Sequence, residues 1–425
     1  MTQQKQTPNY TFALIVMFIV CFLIGFITTM NNSMIECCKN AFKLTDTQGQ
    51  LVNTFFYGAY ILAIPFSMLM NKIGYKKTLL AGLVVVGLGF VLNFLCINNN
   101  LQSDVATIYT YFLCCMFVVA MGVVMLQNVA NPYVMVLGKP ESGAFRMTLS
   151  QALNSLATTV APFFIISVIL QGKEPKNAEP GDIPSPYLIL GIVTIVLAAV
   201  LLMLKLPEIK EEEQAADAGE VKEYKSSVFK YPHVWLGALA IFMYMGLEIG
   251  IPSMLPAYFK ADPTLAEAKF DFWFLHIGGS ATSWLPLYWL GMMIGRFIGA
   301  GILTKFKPRA ILTTCLLCGA ACVGLSFLLS GLSSVIAMLA AGLFHSVMWP
   351  LIFNLGLQEL GPHTKAASGV INTGVIGGAT LPLLMGAVVD NPSLGVGIAI
   401  AMMFVYYLYE LWFCWRGSRI GLSKK

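Results

Sequence analysis

The chain has 425 residues, 57% of them hydrophobic and only 11% charged, with a mean hydropathy of +0.74. A water-soluble domain carries about a quarter charged residues, so a soluble enzyme or a soluble signalling domain is excluded at the outset. The formal charge of +5 is spread over separate short loops, which is not the clustered patch that nucleic acid requires.

Read from the N-terminus, apolar runs fall at 10–37, 48–71, 78–97, 106–137, 147–171, 186–206, 232–259, 282–304, 310–331, 333–357, 366–388 and 394–415. A helix needs roughly 20 mostly apolar residues to cross a bilayer with its backbone satisfied internally. The expected fold is therefore an all-α membrane protein of twelve transmembrane helices. The first run is too long for a signal-peptide core, and no small-residue cleavage site follows it. Segment 172–185 reads as an exposed loop, and 260–281 as a loop holding a short surface helix. The Glu- and Lys-rich stretch 207–230 reads as a linker. The expected organisation is a first bundle at 1–206, a cytoplasmic linker at 207–230 and a second bundle at 231–425.

With the N-terminus placed in the cytoplasm, 20 of the 26 basic residues fall on the cytoplasmic side, among them Lys72, Lys76, Lys77, Lys139, Arg146, Lys305, Lys307 and Arg309. The positive-inside rule then puts both termini in the cytoplasm. Most of the ten cysteines lie inside apolar runs. Cys315 and Cys318 form a CxxC, but no second pair or His cluster stands at metal spacing. No metal and no cofactor is expected.

Weak repetition links the halves. The loop Lys72-Ile73-Gly74-Tyr75-Lys76-Lys77 after the second run has a counterpart in Lys305-Phe306-Lys307-Pro308-Arg309 after the eighth, and Pro132 of the fourth run has one in Pro350 of the tenth. Paired parallel halves with substrate near the midplane are the mark of a large class of secondary transporters.

Polar residues inside a span are functional candidates, because burying them unpaired costs a few kcal/mol. The first run carries Asn32 and Glu36, one helical turn apart. The fourth carries Gln127, Asn128 and Asn131, and the fifth Gln151 and Asn154. The seventh carries Glu248, the tenth His345, and the eleventh Asn372 and Thr373. Amides both donate and accept, as sugar hydroxyls do, and they also serve as interhelical glue. Glu248 stands in the run Ile241-Phe242-Met243-Tyr244-Met245-Gly246-Leu247-Glu248. A carboxyl in so apolar a helix is a candidate for cation coupling or for accepting substrate hydroxyls. Glu36 is a second coupling candidate or an interfacial carboxylate. Tyr133, Tyr244, Trp289 and Trp349 are sugar-stacking candidates or packing residues. Gly295, Gly299, Gly377 and Gly378 permit close helix approach, and Pro132, Pro252, Pro256, Pro350 and Pro382 mark bends.

The stretch Leu126-Gln127-Asn128-Val129-Ala130-Asn131-Pro132-Tyr133, followed by Phe145-Arg146 and Leu149-Ser150-Gln151-Ala152-Leu153-Asn154-Ser155, carries a family pattern. So do Gly246-Leu247-Glu248, Gly295-Arg296-Phe297-Ile298-Gly299, Met348-Trp349-Pro350, Ser368-Gly369 and Ile376-Gly377-Gly378. On these residues the chain resembles the major facilitator superfamily, and within it the fucose–galactose–glucose:cation symporters. Gln127 with Glu248 resembles the glucose/galactose branch. The resemblance implies two pseudo-symmetric six-helix bundles and hexose import by alternating access, coupled to H+ or Na+. It implies no enzymatic activity, and a monomer in the inner membrane. It also implies substrate contacts at Asn32, Gln127, Asn131, Gln151, Asn154, Glu248, Trp349 and Asn372, coupling at Glu248 and Glu36, and a gating role for Arg146. Where the family has an Asp in the first span, this chain has Asn32, which cannot titrate. Asn372 and Trp349 also depart from the family pattern. An uncoupled facilitator, or a symporter for fucose or an amino sugar, is the alternative. No GxxxxGK[ST] or HExxH pattern occurs, so an ATP-driven pump or a zinc-dependent enzyme is not expected.

Overall fold

The computed structural model describes residues 10–43, 46–100, 102–164, 184–204, 206–207, 224–262, 265, 269–272, 275–278, 281–391 and 393–422. The first half contributes α1 (Thr11–Ala41), α2 (Asp46–Gly58), α3 (Ala63–Asn98), α4 (Val105–Val136), α5 (Gly143–Phe164) and α6 (Pro184–Met203). The second half contributes α7 (Pro232–Glu248), α8 (Gly250–Ala261), α9 (Ala281–Ile302), α10 (Pro308–Leu328) and α11 (Gly331–His345). It continues with α12 (Met348–Gly356), α13 (Thr364–Asn372), α14 (Gly377–Asp390) and α15 (Gly395–Trp415).

Among the described residues, ten helical stretches are long and apolar enough to cross a membrane. Two of the twelve runs read from the sequence, 48–71 (from residue 54 on) and 78–97, join in one stretch, Thr54–Asn98. The run 147–171 passes beyond Phe164, where the described part of α5 ends. Helix α3 spans 36 residues but is not one straight rod. It breaks at Gly74, with φ 84° and ψ 173°, a conformation open to glycine and strained for other residues.

Local sequence sets the helix ends. Asp104 caps α4, accepting from the Thr107 hydroxyl at 2.7 Å and from its backbone N–H at 3.1 Å. Those two bonds hold the Asp104 carboxyl below the ordinary carboxylate range. Pro232 and Pro308 open α7 and α10, where a missing N–H is harmless. One expectation is corrected: the loop after α8 forms an antiparallel hairpin rather than a surface helix. Strand β1 (Lys269–Phe272) pairs with β2 (Leu275–Gly278), Lys269 opposite Gly278 and Phe272 opposite Leu275. Lys269-Phe270-Asp271-Phe272 alternates polar with aromatic residues, which is strand patterning.

The polarity is that of a membrane protein. Large aliphatic side chains point outward, Val196, Leu328, Val405 and Leu408 among them, as lipid contact requires. Buried among the helices are Asn128, Asn131, Arg296, His345, Asn372 and Glu410. Within the first half, α3 packs on α4 and α6, and α1 on α5. Within the second, α11 packs on α9 and α10, and α7 on α12, α14 and α15. The halves meet where α13 lies against α3 and α4, and where α9 and α12 lie against α5.

Three spans of the second half are interrupted, and each interruption follows a polar residue. Helix α7 ends at Glu248, α11 at His345 and α13 at Asn372. Pro252 removes the N–H that would bond the Glu248 carbonyl, and Pro350 does the same to Ser346. Irregular backbone at membrane depth is tolerated where it is buried in protein or lines a cavity.

Candidate functional site

Two clusters of polar side chains lie where the halves meet. The first is built on Arg296 of α9, which is only 7% exposed. Its NH2 group lies 3.7 Å from the Glu248 carboxylate. Its Nε donates to the Ser346 carbonyl at 3.1 Å, the acceptor that Pro350 leaves without its helical donor. Its NH1 donates to the Gln151 carbonyl at 3.3 Å and to the Ser155 hydroxyl, both on α5. One guanidinium thus has partners in both halves, and its planar fork suits that task better than a lysine would. Tyr244 and Tyr288 lie within electrostatic reach of Glu248. Tyr244 donates to the His345 carbonyl at 3.0 Å. The His345 ring meets the Tyr288 hydroxyl at Nδ1, 2.8 Å away, and the Tyr407 hydroxyl at Nε2.

The second cluster is an amide seam. Pro132 leaves the Asn128 carbonyl without its helical donor, and Ser368 of α13 donates to that carbonyl at 3.1 Å. The Asn372 amide donates to Asn128 Oδ1 at 2.7 Å, and Asn128 donates to the Ala63 carbonyl at 2.7 Å. Ser67 reaches the Ala366 carbonyl at 3.3 Å, and Lys365 lies over the Tyr75 ring, 4.5 Å from its centroid. A Cβ at Gly369 would collide with the Ser67 side chain and the Ala63 carbonyl, so only glycine lets α13 approach α3 this closely.

The residues singled out from the sequence divide accordingly. Gln127 accepts from the Tyr60 hydroxyl at 2.8 Å, and its amide N–H groups have no partner among the described residues. Asn131 is buried with its amide nitrogen unpartnered among the described residues. Gln151 is half-buried; its side chain has no hydrogen bond among the described residues, while its main-chain carbonyl accepts from Arg296. These three offer donors to a ligand. Asn154 instead donates to the Cys21 carbonyl at 2.9 Å, fastening α5 to α1, and Asn372 is engaged with Asn128. Both have interhelical-bond geometry. Trp349 is buried and stacks on Phe353, with centroids 5.1 Å apart. Arg146 donates to the Val134 carbonyl at 2.9 Å, the Lys139 carbonyl at 3.0 Å, the Met135 carbonyl and the Ser142 hydroxyl. All lie at the α4–α5 corner, so its direct contacts fasten that corner. The side chains of Asn32 and Glu36 lie outside the described residues. Cys315 and Cys318 are free thiols.

Sequence reading passed over three participants. Arg296 stood inside a family match, Gly295-Arg296-Phe297-Ile298-Gly299, in which only the glycines carried a reading, and it was given no role. Tyr60 carried no signal beyond being aromatic. Glu410 of α15 was not singled out, although a carboxyl in an apolar span is the same signal that marked Glu248.

Broken helices, buried ionic and amide groups between two halves, and an apolar exterior define a multi-pass membrane transporter built for alternating access. The Major Facilitator Superfamily profile matches residues 17–382, and the chain belongs to that family. It is 36% identical over 421 residues to the glucose/galactose transporter of Brucella abortus biovar 1 (strain 9-941), covering 98% of this chain and 97% of that one. It is 28% identical over 404 residues to the L-fucose-proton symporter of Escherichia coli (strain K12), covering 91% and 88%. A crystal structure of a variant of the E. coli fucose:proton symporter FucP superposes with a TM-score of 0.78 at 26% identity, covering 96% of this chain and 98% of that one.

Proposed function

We propose that this chain imports a hexose of the glucose/galactose type by alternating access, coupled to H+ or Na+, across the inner membrane. The names of its relatives support the sugar, and that of the fucose symporter supports a proton as the coupling ion. The arrangement of Arg296 carries the coupling. Gln127, Asn131 and Gln151 supply amide donors for sugar hydroxyls, and Asn154, Asn32 and Asn372 are the further candidate contacts. Trp349 offers a ring to the C–H face of a pyranose. Glu248 binds the coupling cation, with Glu36 as a second carboxylate.

A proton arriving at Glu248 neutralises the carboxylate and removes the charge facing Arg296. The guanidinium is left with Ser346 on its own half and Ser155 and Gln151 on the other. Because Gln151 sits on the helix that Arg296 grips, protonation and sugar binding act on one contact between α5 and α9. Arg146 acts at a distance, stiffening the corner from which α5 starts. In this reading residues 1–206 and 231–425 rock about the site as a monomer, joined by the 207–230 linker, with both termini in the cytoplasm. The neutral Asn32 favours a second reading, an uncoupled facilitator with the same sugar site.

Thermal stability of the purified protein with added monosaccharides, with and without sodium, tests the substrate class, since a ligand that binds the folded form raises Tm. Glucose or galactose is expected to raise it. Failure of every hexose to do so contradicts the sugar reading.

A further inference from the structure

The second span of the first half is interrupted too, at a break with no part in the mechanism above. Helix α2 ends at Gly58, the four residues Ala59–Leu62 form a 3₁₀ turn, and α3 starts at Ala63. Pro65 stands in the first turn of α3, where it removes the N–H that would bond the Ile61 carbonyl in a continuous helix. A 3₁₀ turn advances each residue by about 120° instead of about 100°, so the break re-aims the side chains it carries. The turn lies against α4 and, across the boundary between the halves, against the turn Thr373–Ile376. Tyr60 within it is 2% exposed, its ring beside that of Tyr57 with centroids 6.3 Å apart. Its hydroxyl reaches α4 and donates to Gln127 Oε1 at 2.8 Å. The next residue of α4, Asn128, donates to the Ala63 carbonyl at 2.7 Å, just past the turn. Two consecutive residues of α4 are thus indexed to one break, the first as acceptor and the second as donor.

We propose that Tyr60 is a positioning residue of the sugar site, which fixes Gln127 as a hydrogen-bond donor toward the ligand. This rests on reading the interface between the halves as that site. A glutamine amide turns about its last torsion and so exchanges its oxygen for its nitrogen. One of the two orientations suits Tyr60. With Oε1 toward it, the phenol proton has its acceptor, and no other acceptor for that proton lies among the described residues. Turned over, the amide would leave a buried hydroxyl proton unpaired, which is costly. The two N–H groups of Gln127 are therefore held away from Tyr60, for a ligand to take. One turn further along the same face of α4, Asn131 is 3% exposed and its amide nitrogen has no partner among the described residues. Helix α4 thus presents two amide nitrogens as donors, and a sugar hydroxyl bound at Gln127 is met as an acceptor. In this role Tyr60 acts only through Gln127.

The test is galactose counterflow in liposomes holding the full-length protein, with KM and maximal rate measured for Tyr60→Phe, Gln127→Ala and the two combined. Tyr60→Phe removes the hydroxyl and keeps the ring. It is expected to raise KM roughly fivefold with the maximal rate kept. In the Gln127→Ala background it is expected to raise KM no further, since a residue that acts through another adds nothing once that other is gone. An unchanged KM in Tyr60→Phe overturns the proposal, and a fall in maximal rate beside it marks a hinge or packing role. A further rise in KM in the Gln127→Ala background also overturns it, because Tyr60 would then contribute independently. If Tyr60→Phe fails to reach the membrane, Gln127→Glu decides: it keeps the oxygen that Tyr60 holds and replaces the N–H groups with a second acceptor. A raised KM in that variant supports the held donor, and an unchanged KM overturns it. Absence of counterflow in the unsubstituted protein overturns the sugar reading itself, and is told apart because it needs no substitution.

Discussion

Arg296 and Glu248 form a pair whose energetics cut both ways. Both are largely withdrawn from solvent, and a buried ion pair often gains little over apolar packing, while breaking it from one side is strongly destabilising. Such a pair is poor scaffolding but a good switch, because the free energy of the arrangement depends on one proton. Glu248→Gln is therefore expected to abolish gradient-driven accumulation and largely spare hexose exchange, as measured by paired uptake and counterflow assays. Arg296→Lys keeps the charge but loses the fork that reaches Ser346, Ser155 and Gln151 together. It is expected to lower the accumulation ratio while hexose still shifts Tm. At Gln151, truncation to Ala removes a hydrogen-bonding side chain and leaves the main-chain bond to Arg296 in place. A weakening of hexose binding by about 1 kcal/mol is expected, a roughly fivefold rise in KM for uptake. An unchanged KM would take Gln151 out of the sugar site.

At the scale of elements, prolines and glycines do the organising. Pro132 and Pro350 each free a carbonyl one turn earlier, and each freed carbonyl is taken up by a donor from another helix, Ser368 in one case and Arg296 in the other. These prolines were legible as bends and as a repeated pair, since proline acts through its own missing N–H. The acceptors they free were not legible, because the donors stand 240 and 50 residues away in the chain. The same distance hid the seam. Asn128 stands outside the one-face pair Gln127 and Asn131 and was given no role; it faces α13 while Gln127 faces Tyr60, and periodicity alone does not say which neighbour lies on which side. The hairpin after α8 escaped for another reason: its strands are four residues each, too short for a pattern to stand out. Gly369→Val tests the seam. The added side chain would force α13 from α3, so uptake is expected to fall severely while the protein still reaches the membrane, as seen by comparing surface abundance with transport. Normal uptake in that variant would mean that the close approach of α3 and α13 is not part of the cycle.

For the whole molecule, the many-span rhythm and the apolar exterior were readable in composition, because the bilayer imposes both on any chain that crosses it many times. What the site binds was readable only through the family pattern. Amides recognise many polar ligands, and physical chemistry alone does not single out a hexose. On the function proposed above, the guanidinium that grips both halves would let cation binding and sugar binding bias one contact. Coupling of that kind is a shared free energy between two ligands and is reciprocal. The most direct measurement is uptake of labelled galactose into liposomes holding the purified protein, with and without an imposed proton or sodium gradient. The account predicts internal sugar rising above the external level under one of the two gradients and collapsing when that gradient is discharged. Uptake that only equilibrates, whatever gradient is applied, would contradict it.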